Sequence, residues 1–463
     1  MMPHFPFVVL PTDVTTGGLR ECKPFLFLAI LSVSVTDDRA LKRALDEEVR
    51  AAVAERTVLA RRSASLETLQ GLLVLLAWSQ HQVQLRSAPR DFSTYLHLAI
   101  GIAVDLNLDR PVELQRSGRR MNVHETKTDV RPLATQREEQ RAVIGCSFLS
   151  SCFAVISQRM CTFPWSSYLE AFAVELAQNP EYGSDASIID LVRLQHIFEE
   201  IDRVSIGPDS LDMDGSAFQH TFRSFKTRLQ EYTSQLSPQL TADHFILASQ
   251  MHTVNLYLCQ VGLFDKASTS HLPLSFRSEI LCHGLAAAKS SFDWMAMLPL
   301  GTERSFSYSE WLQSGFNLIL SCKLALMAMS EEHRHPQVQA LCDALDMAGV
   351  LRNCVNRQEC LQAGSQNTGF DYTGWLRWIQ DWFARHYQGY VSRRAAPTTP
   401  QPPSTAPVTG MPAPTEQFAT GEMYHGGNLP VTSDDMLPWT SFPDFMLAQN
   451  PLAGWMDLSL MPM

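Results

Sequence analysis

Apolar residues recur every three or four positions along most of the chain, which is the spacing of amphipathic helices. One stripe consists of five aliphatic residues, Leu41, Leu45, Val49, Ala52 and Leu59. We expect Asp37 or Asp38 to cap this helix, because a short polar side chain at the N-cap accepts from free backbone N–H groups. The next stripe, over residues 66–83, is apolar almost all round. It predicts a deeply buried helix that is capped by Ser63 or Ser65.

The same periodicity predicts more helices, at about residues 91–107, 134–160, 165–178, 185–205, 216–236, 239–265, 275–298, 306–330, 335–356 and 373–390. The last of them places Trp375, Ile379, Trp382 and His386 on one side. Sustained two-residue alternation bounded by hairpin turns, the pattern of paired strands, does not occur in the sequence. The predicted fold class is therefore all-α, with a multi-helix domain over residues 1–392.

Two regions interrupt the helical pattern. Residues 108–133 are polar and rich in both charge signs, which indicates an exposed loop. Residues 395–463 contain no Lys or Arg and hold 12 of the 26 prolines, too many for regular packed structure. We therefore predict a disordered Pro-rich linker over residues 393–430, followed by an acidic and aromatic segment over residues 431–463.

Composition narrows the possible functions. Hydrophobic residues make up 45% of the chain, enough for a large core. The formal net charge is −11, so the chain as a whole is a poor partner for nucleic acid, which requires clustered cations. The apolar run at residues 24–33 is too short to span a bilayer, and we read it as a buried helix rather than as a membrane segment.

Residue patterns of common catalytic and metal sites are missing or incomplete. The ten cysteines include no Cys-x-x-Cys pair, so we predict reduced core thiols and no metal site. Glycine-rich phosphate loops and the Gly-x-Ser-x-Gly turn are absent from the sequence. His124-Glu125 begins a zinc-protease pattern, but Thr128 stands where the second histidine is required. We predict neither an enzyme nor a cofactor.

Several segments together carry a family resemblance. They are Phe5-Pro6-Phe7-Val8-Val9-Leu10-Pro11, residues 20–26, 65–78, 95–108 and 164–170, Arg137-Glu138-Glu139-Gln140-Arg141, and residues 191–197. In this order they resemble the middle homology region of fungal binuclear zinc-cluster transcription factors, well over residues 3–205 and more loosely over 206–390. The resemblance implies an all-helical regulatory domain, a nuclear location and control of RNA polymerase II genes. In filamentous fungi such genes often lie in one secondary-metabolite cluster.

The chain departs from that family at its start. Members usually carry an N-terminal cluster of six cysteines that holds two zinc ions and reads DNA, whereas Cys22 is the one cysteine in the first hundred residues. No zinc ligand is assigned, and we expect little direct DNA binding, so that a preceding segment or a DNA-binding partner protein would supply it. A small-molecule effector stays open as a further partner. The alternative function is a helical interaction scaffold or modulator without DNA binding of its own.

Residues 431–463 are predicted to act as a transcription activation segment. Acidic residues keep such a segment soluble and extended, while its aromatic residues are available for capture in a groove of a coactivator. The candidate coactivator-binding residues are Trp439, Phe442, Asp444, Phe445, Trp455, Met456 and Leu458. In the alternative arrangement these aromatic side chains pack back onto the helical core.

Overall fold

A computed structural model describes residues 4–35, 38–59, 65–79, 88–110, 132–157, 160–206, 215–237, 244–264, 272–330, 335–362 and 372–395. Within these ranges every regular element is helical, which confirms the predicted all-α class. The linker and acidic segment predicted beyond residue 395, and most of the loop predicted at residues 108–133, lie outside the described residues.

The α-helices are α1 (Thr16–Cys22), α2 (Pro24–Ser34), α3 (Arg39–Ala54), α4 (Leu66–Ala77), α5 (Ala88–Asp105), α6 (Leu133–Ile156), α7 (Ser167–Gln178), α8 (Asp185–Ile206), α9 (Gly215–Gln235), α10 (Phe245–Phe264), α11 (Leu274–Met297), α12 (Tyr308–Ala328), α13 (Pro336–Leu345), α14 (Met347–Gln362) and α15 (Tyr372–Ala395). A π-helical turn, Glu55–Leu59, extends α3, and a 3₁₀ turn, Thr302–Ser305, precedes α12.

The helix starts show which of the predicted caps are used. The Asp38 carboxylate accepts hydrogen bonds from the backbone N–H groups of Ala40 and Leu41 at the start of α3. The Ser65 hydroxyl accepts from the Thr68 N–H at the start of α4. Each bond satisfies a donor that the first helical turn cannot pair internally.

The predicted helix over residues 335–356 is wrong as a single element. Helix α13 ends at Leu345, Asp346 adopts a left-handed backbone with φ of 42°, and α14 begins at Met347. The Asp346 carboxylate accepts from the Gly349 N–H at 3.1 Å, so the residue that breaks one helix caps the next. Aspartate tolerates the left-handed region better than most residues, and a break of one residue leaves the apolar period almost unchanged.

Helix α12 lies at the centre of the molecule. It packs against α4, α6, α10, α11, α13, α14 and α15, and nearly all of its side chains are buried. The apolar run at residues 24–33 forms α2, which packs on α4 so closely that a Cβ on Gly71 would lie 2.5 Å from the Phe25 ring. Among the described helices, none has both the length and the apolar character required to cross a bilayer.

Candidate functional site

The segment before α1 is anchored in the core beside the start of α12. Phe5 and Phe7 are each 1% exposed, and their rings meet edge to face at 5.0 Å. His4 Nδ1 lies 2.9 Å from a carboxylate oxygen of Glu310, and Glu310 completes a capping box with Ser307. His4, the residue before the motif that opens the family resemblance, therefore contacts the N-terminal end of the central helix, while Phe5 and Phe7 of the motif fill the core.

Beside that anchor, a chain of buried hydrogen bonds links four helices. Gln195 of α8 donates to the Ser151 hydroxyl of α6 at 2.7 Å, and Gln250 of α10 donates to the Gln195 carbonyl at 2.7 Å. Gln313 of α12 donates to Gln250 and accepts from the Ser249 hydroxyl. These side chains are almost entirely buried. Each hydrogen bond of a side-chain amide requires one particular axial position of a helix relative to its neighbour. We call this set the glutamine chain.

A second buried polar group joins α6 to the start of α8. The Arg141 guanidinium donates to both carboxylate oxygens of Asp185, at 2.7 and 2.8 Å, and also to Glu181 at 2.9 Å. Although burial alone raises the pKa of Asp185, the hydrogen bonds from Arg141 and from two backbone N–H groups lower it below its usual value. Arg141 is the last residue of the charged run 137–141 that forms part of the family resemblance. The run therefore contributes one partner of a buried ion pair.

A pocket opens beside the N-terminal half of α12, between α11, α14 and α15. Each of the three helices around it contributes residues from one face, as does α12 itself. The lining residues are Phe292 and Met295 from α11, Glu303 and Phe306 from the 3₁₀ turn and its end, Trp311, Ser314, Gly315 and Leu318 from α12, Cys354, Arg357 and Gln358 from α14, and Tyr372, Trp375 and Leu376 from α15. We call it the α12 pocket; it encloses about 610 Å³, part of which is open to solvent.

The charged groups of the α12 pocket neutralise one another. Arg357 Nε donates to a carboxylate oxygen of Glu303 at 2.6 Å, and its terminal nitrogen donates to the Leu298 carbonyl at 3.1 Å. The other carboxylate oxygen of Glu303 accepts from the Gly301 N–H at 3.2 Å. Glu303 is 5% exposed, so this pair lies in the wall rather than in solvent.

The remaining lining is aromatic or uncharged. The rings of Trp311 and Tyr372 stack with centroids 4.3 Å apart and planes 23° apart. Burial raises the pKa of the Cys354 thiol to about 11, so the thiol is neutral at physiological pH. Burial also raises the pKa of the Tyr372 hydroxyl. The pocket is consequently apolar, with a few neutral hydrogen-bonding groups.

The structure leaves the sites predicted from sequence untested. Every candidate coactivator-binding residue, from Trp439 to Leu458, lies outside the described residues. The ten cysteines form no disulfide, and Cys146, Cys152, Cys259 and Cys322 are buried among apolar side chains as predicted. The prediction of core thiols is wrong for Cys22 and Cys360, which are exposed. In the part of the chain that is described, no group of three or more potential metal ligands comes together.

Sequence reasoning missed the α12 pocket. Its signal was present in α12 as Trp311, Ser314, Gly315 and Leu318, a helical stripe that carries two small residues between large apolar ones. Such a stripe becomes interpretable only when the facing helices are known, because small residues in a helix most often permit close packing. Here α14 and α15 do not pack tightly against this stripe, and the space between them and α12 is the pocket.

Fold and core together define the class: an all-helical scaffold built around one central helix, with a partly open pocket beside the first half of that helix. In comparison with known proteins, the chain is similar to fungal proteins that are named as transcription factors. The chain is 38% identical over 392 residues to "Transcription factor himD" of Aspergillus japonicus, which covers 83% of this chain and 64% of that protein. It is 26% identical over 343 residues to "Transcription factor opdL" of Penicillium oxalicum, covering 70% of this chain and 58% of that protein.

A third relative is "Transcription factor pbcR" of Emericella nidulans, 26% identical over 243 residues, or 50% of this chain and 32% of that protein. The chain thus spans less than two thirds of the length of these curated relatives. No family model and no solved structure matches the chain. The relatives confirm the resemblance to fungal transcription factors and are consistent with the regulatory region of the zinc-cluster family.

Proposed function

We propose that this chain is the regulatory and activating part of a fungal transcription factor that acts in the nucleus. The observation that carries the proposal is the 38% identity to a named transcription factor over 83% of the chain. Identity over this much of the chain includes the helical core, so it supports a shared regulatory scaffold. In this proposal the chain has no catalytic role, and its targets are RNA polymerase II genes of one secondary-metabolite cluster.

The activating function is assigned to residues 431–463. Asp434, Asp435, Asp444 and Asp457 alternate there with Trp439, Phe442, Phe445 and Trp455, and no cation is present to pair the acids within the segment. A segment of this composition folds on a partner by burying a few aromatic side chains in a hydrophobic groove. Pro443 and Pro451 limit each helical piece to about one or two turns. The proposed partner is a transcriptional coactivator.

DNA reading is assigned to a different module. The net charge of −11 opposes association with phosphates, and the region shared with the relatives contains no paired-cysteine zinc motif. A zinc cluster on a longer polypeptide, or a DNA-binding partner protein, would bring the helical core to its promoters. The competing function is an interaction scaffold that never activates transcription.

A reporter assay separates these two functions. The full chain and, separately, residues 428–463 are fused to an unrelated DNA-binding domain upstream of a reporter gene. Both fusions should activate the reporter. Replacing Trp439, Phe442, Phe445 and Trp455 together by alanine should remove most of the activity, because the groove then gains no buried aromatic area.

The matched control carries the same number of alanine substitutions in the same segment, at Thr432, Ser433, Thr440 and Ser441. It should retain the activity of the unsubstituted fusion. Silence of both unsubstituted fusions at normal protein levels would favour the scaffold function. Equal activity of the aromatic variant and the control would show that these side chains are not the coactivator contacts.

A further inference from the structure

The α12 pocket is a concave space between four helices and a 3₁₀ turn. It comprises about 610 Å³ free of protein atoms, a figure that includes solvent at its open mouth. Ligand sites in proteins are usually concave clefts lined mostly by hydrophobic and aromatic side chains. Ser314 and Gly315 are the two small residues that α12 contributes to its lining.

The electrostatics of the wall restrict what the pocket can accept. The one cation in the lining, Arg357, already donates to Glu303 and to the carbonyls of Leu298 and Pro299. The one carboxylate in the lining, Glu303, accepts from Arg357 and from the Gly301 N–H. A charged ligand would lose hydration without gaining a free counter-charge, which is unfavourable in an apolar site. A neutral ligand avoids that cost.

The rest of the lining favours flat rings. Trp311 and Tyr372 present a stacked aromatic pair, and Phe292, Phe306 and Trp375 add further ring surfaces. Aromatic rings associate with offset or edge-to-face geometry, so several of them around one space suit a rigid planar compound. Ser314 and Gln358 place one hydroxyl and one amide in the same lining, enough to orient a hydroxyl or carbonyl group of the ligand.

We propose that the α12 pocket binds one uncharged, largely apolar polycyclic compound that carries one or two hydroxyl or carbonyl groups. The proposal does not rest on the activation segment and holds whether or not the chain activates transcription. Binding would join α11, α14 and α15 to the central helix, because the ligand touches all four.

Three probes of nearly equal size test the charge argument on the intact chain. They are 1-hydroxypyrene, which is neutral at pH 7, the anion pyrene-1-carboxylate and the cation 1-pyrenylmethylammonium. Energy transfer from tryptophan to pyrene reports binding, since Trp311 and Trp375 line the pocket. We expect saturable binding of one 1-hydroxypyrene per chain, with an affinity at least about tenfold above that of either charged probe, because a desolvated charge stays unpaired.

Substitutions test the location. Ser314→Phe should occupy the space from α12, and Cys354→Phe should occupy it from α14; each should weaken 1-hydroxypyrene binding at least about tenfold, because an overfilled site cannot accept a ring system. Ser224→Phe is the matched control, since Ser224 is exposed on α9 and does not line the pocket. It should leave the affinity unchanged. Circular dichroism at 222 nm identifies any variant that has lost its helices.

Either of two results overturns the proposal. One is the absence of saturable 1-hydroxypyrene binding to the folded wild-type chain, or a preference for a charged probe. The other is unchanged affinity in whichever of the two pocket variants remains folded. If both variants unfold, Gln358→Leu decides: a change of less than about twofold in the preference for 1-hydroxypyrene over unsubstituted pyrene would remove the proposed polar contact.

Discussion

At the scale of single residues, the ion pair between Arg141 and Asp185 places two opposite charges in the core of the fold. Arg141 is 1% exposed and Asp185 is fully buried, so neither charge is hydrated. Two bonds between the guanidinium and the carboxylate, and the backbone donors on Asp185, replace the lost water. An isolated charge left at this depth would lack any such compensation. The pair therefore matters mainly through the cost of breaking it.

We predict that Asp185→Ala lowers the free energy of unfolding by about 3–5 kcal/mol, because the buried Arg141 cation then keeps only the partly exposed Glu181 as a carboxylate partner. The comparison variant is Glu170→Ala, which removes the partner of Arg193 from an exposed pair at 3.0 Å between α7 and α8. That loss should be about 0–1 kcal/mol, since exposed pairs are hydrated and mobile. Urea unfolding followed by circular dichroism measures both; similar losses would refute the buried-charge argument.

At the scale of helices, the sequence predicted most elements because each one carries an apolar stripe that faces the core. Helices α6 and α15 begin within one residue of the predicted starts at 134 and 373. The break at Asp346 was missed because a single left-handed residue barely shifts the stripe. Helix α1 was not predicted, since its seven residues contain two glycines and one buried residue, Leu19.

The contacts between helices could not be predicted in the same way. The glutamine chain involves Gln195, Gln250 and Gln313, each of which reads in the sequence as an ordinary polar position on a helix. Their pairing depends on which helices become neighbours and on the axial position of each helix relative to the next. A single sequence does not specify either of these directly. The α12 pocket was missed for the same reason.

We predict that Gln313→Leu destabilises the fold by about 2–6 kcal/mol, because the Gln250 side-chain carbonyl and the Ser249 hydroxyl lose their partners inside the core, at about 1–3 kcal/mol each. Gln230→Leu on the exposed face of α9 is the control and should change stability by less than about 0.5 kcal/mol. Thermal and urea unfolding of the three proteins provide the measurement. Equal stability of the wild type and Gln313→Leu would mean that water or neighbouring groups form hydrogen bonds with the Gln250 carbonyl and the Ser249 hydroxyl in the variant.

At the scale of the whole molecule, the balance of charge bears on whether this chain could contact DNA directly. The chain holds 37 basic and 48 acidic residues, and many basic groups are already committed within the fold. Arg141 is buried in its ion pairs and Arg357 is half-buried beside Glu303, while Arg223, Arg228 and Lys23 pair with glutamates on neighbouring helices. Acidic residues outnumber basic ones over the whole chain, and residues 395–463 add no Lys or Arg, so the overall charge opposes association with a duplex.

We predict that the purified chain binds a generic 20-base-pair duplex only weakly at physiological salt, with a Kd above about 10⁻⁵ M, because few phosphates can be neutralised at once. Fluorescence anisotropy of a labelled duplex gives the affinity, and a titration of salt from 50 to 200 mM gives the number of phosphate contacts. The slope of log K against log salt should be shallow, about −2 or smaller in magnitude. Glu279→Ala, which releases Arg223 and Lys226, serves as a sensitivity control and should raise the affinity slightly. A sub-micromolar Kd with a steep salt slope would assign DNA reading to this chain itself and remove the need for a separate DNA-binding module.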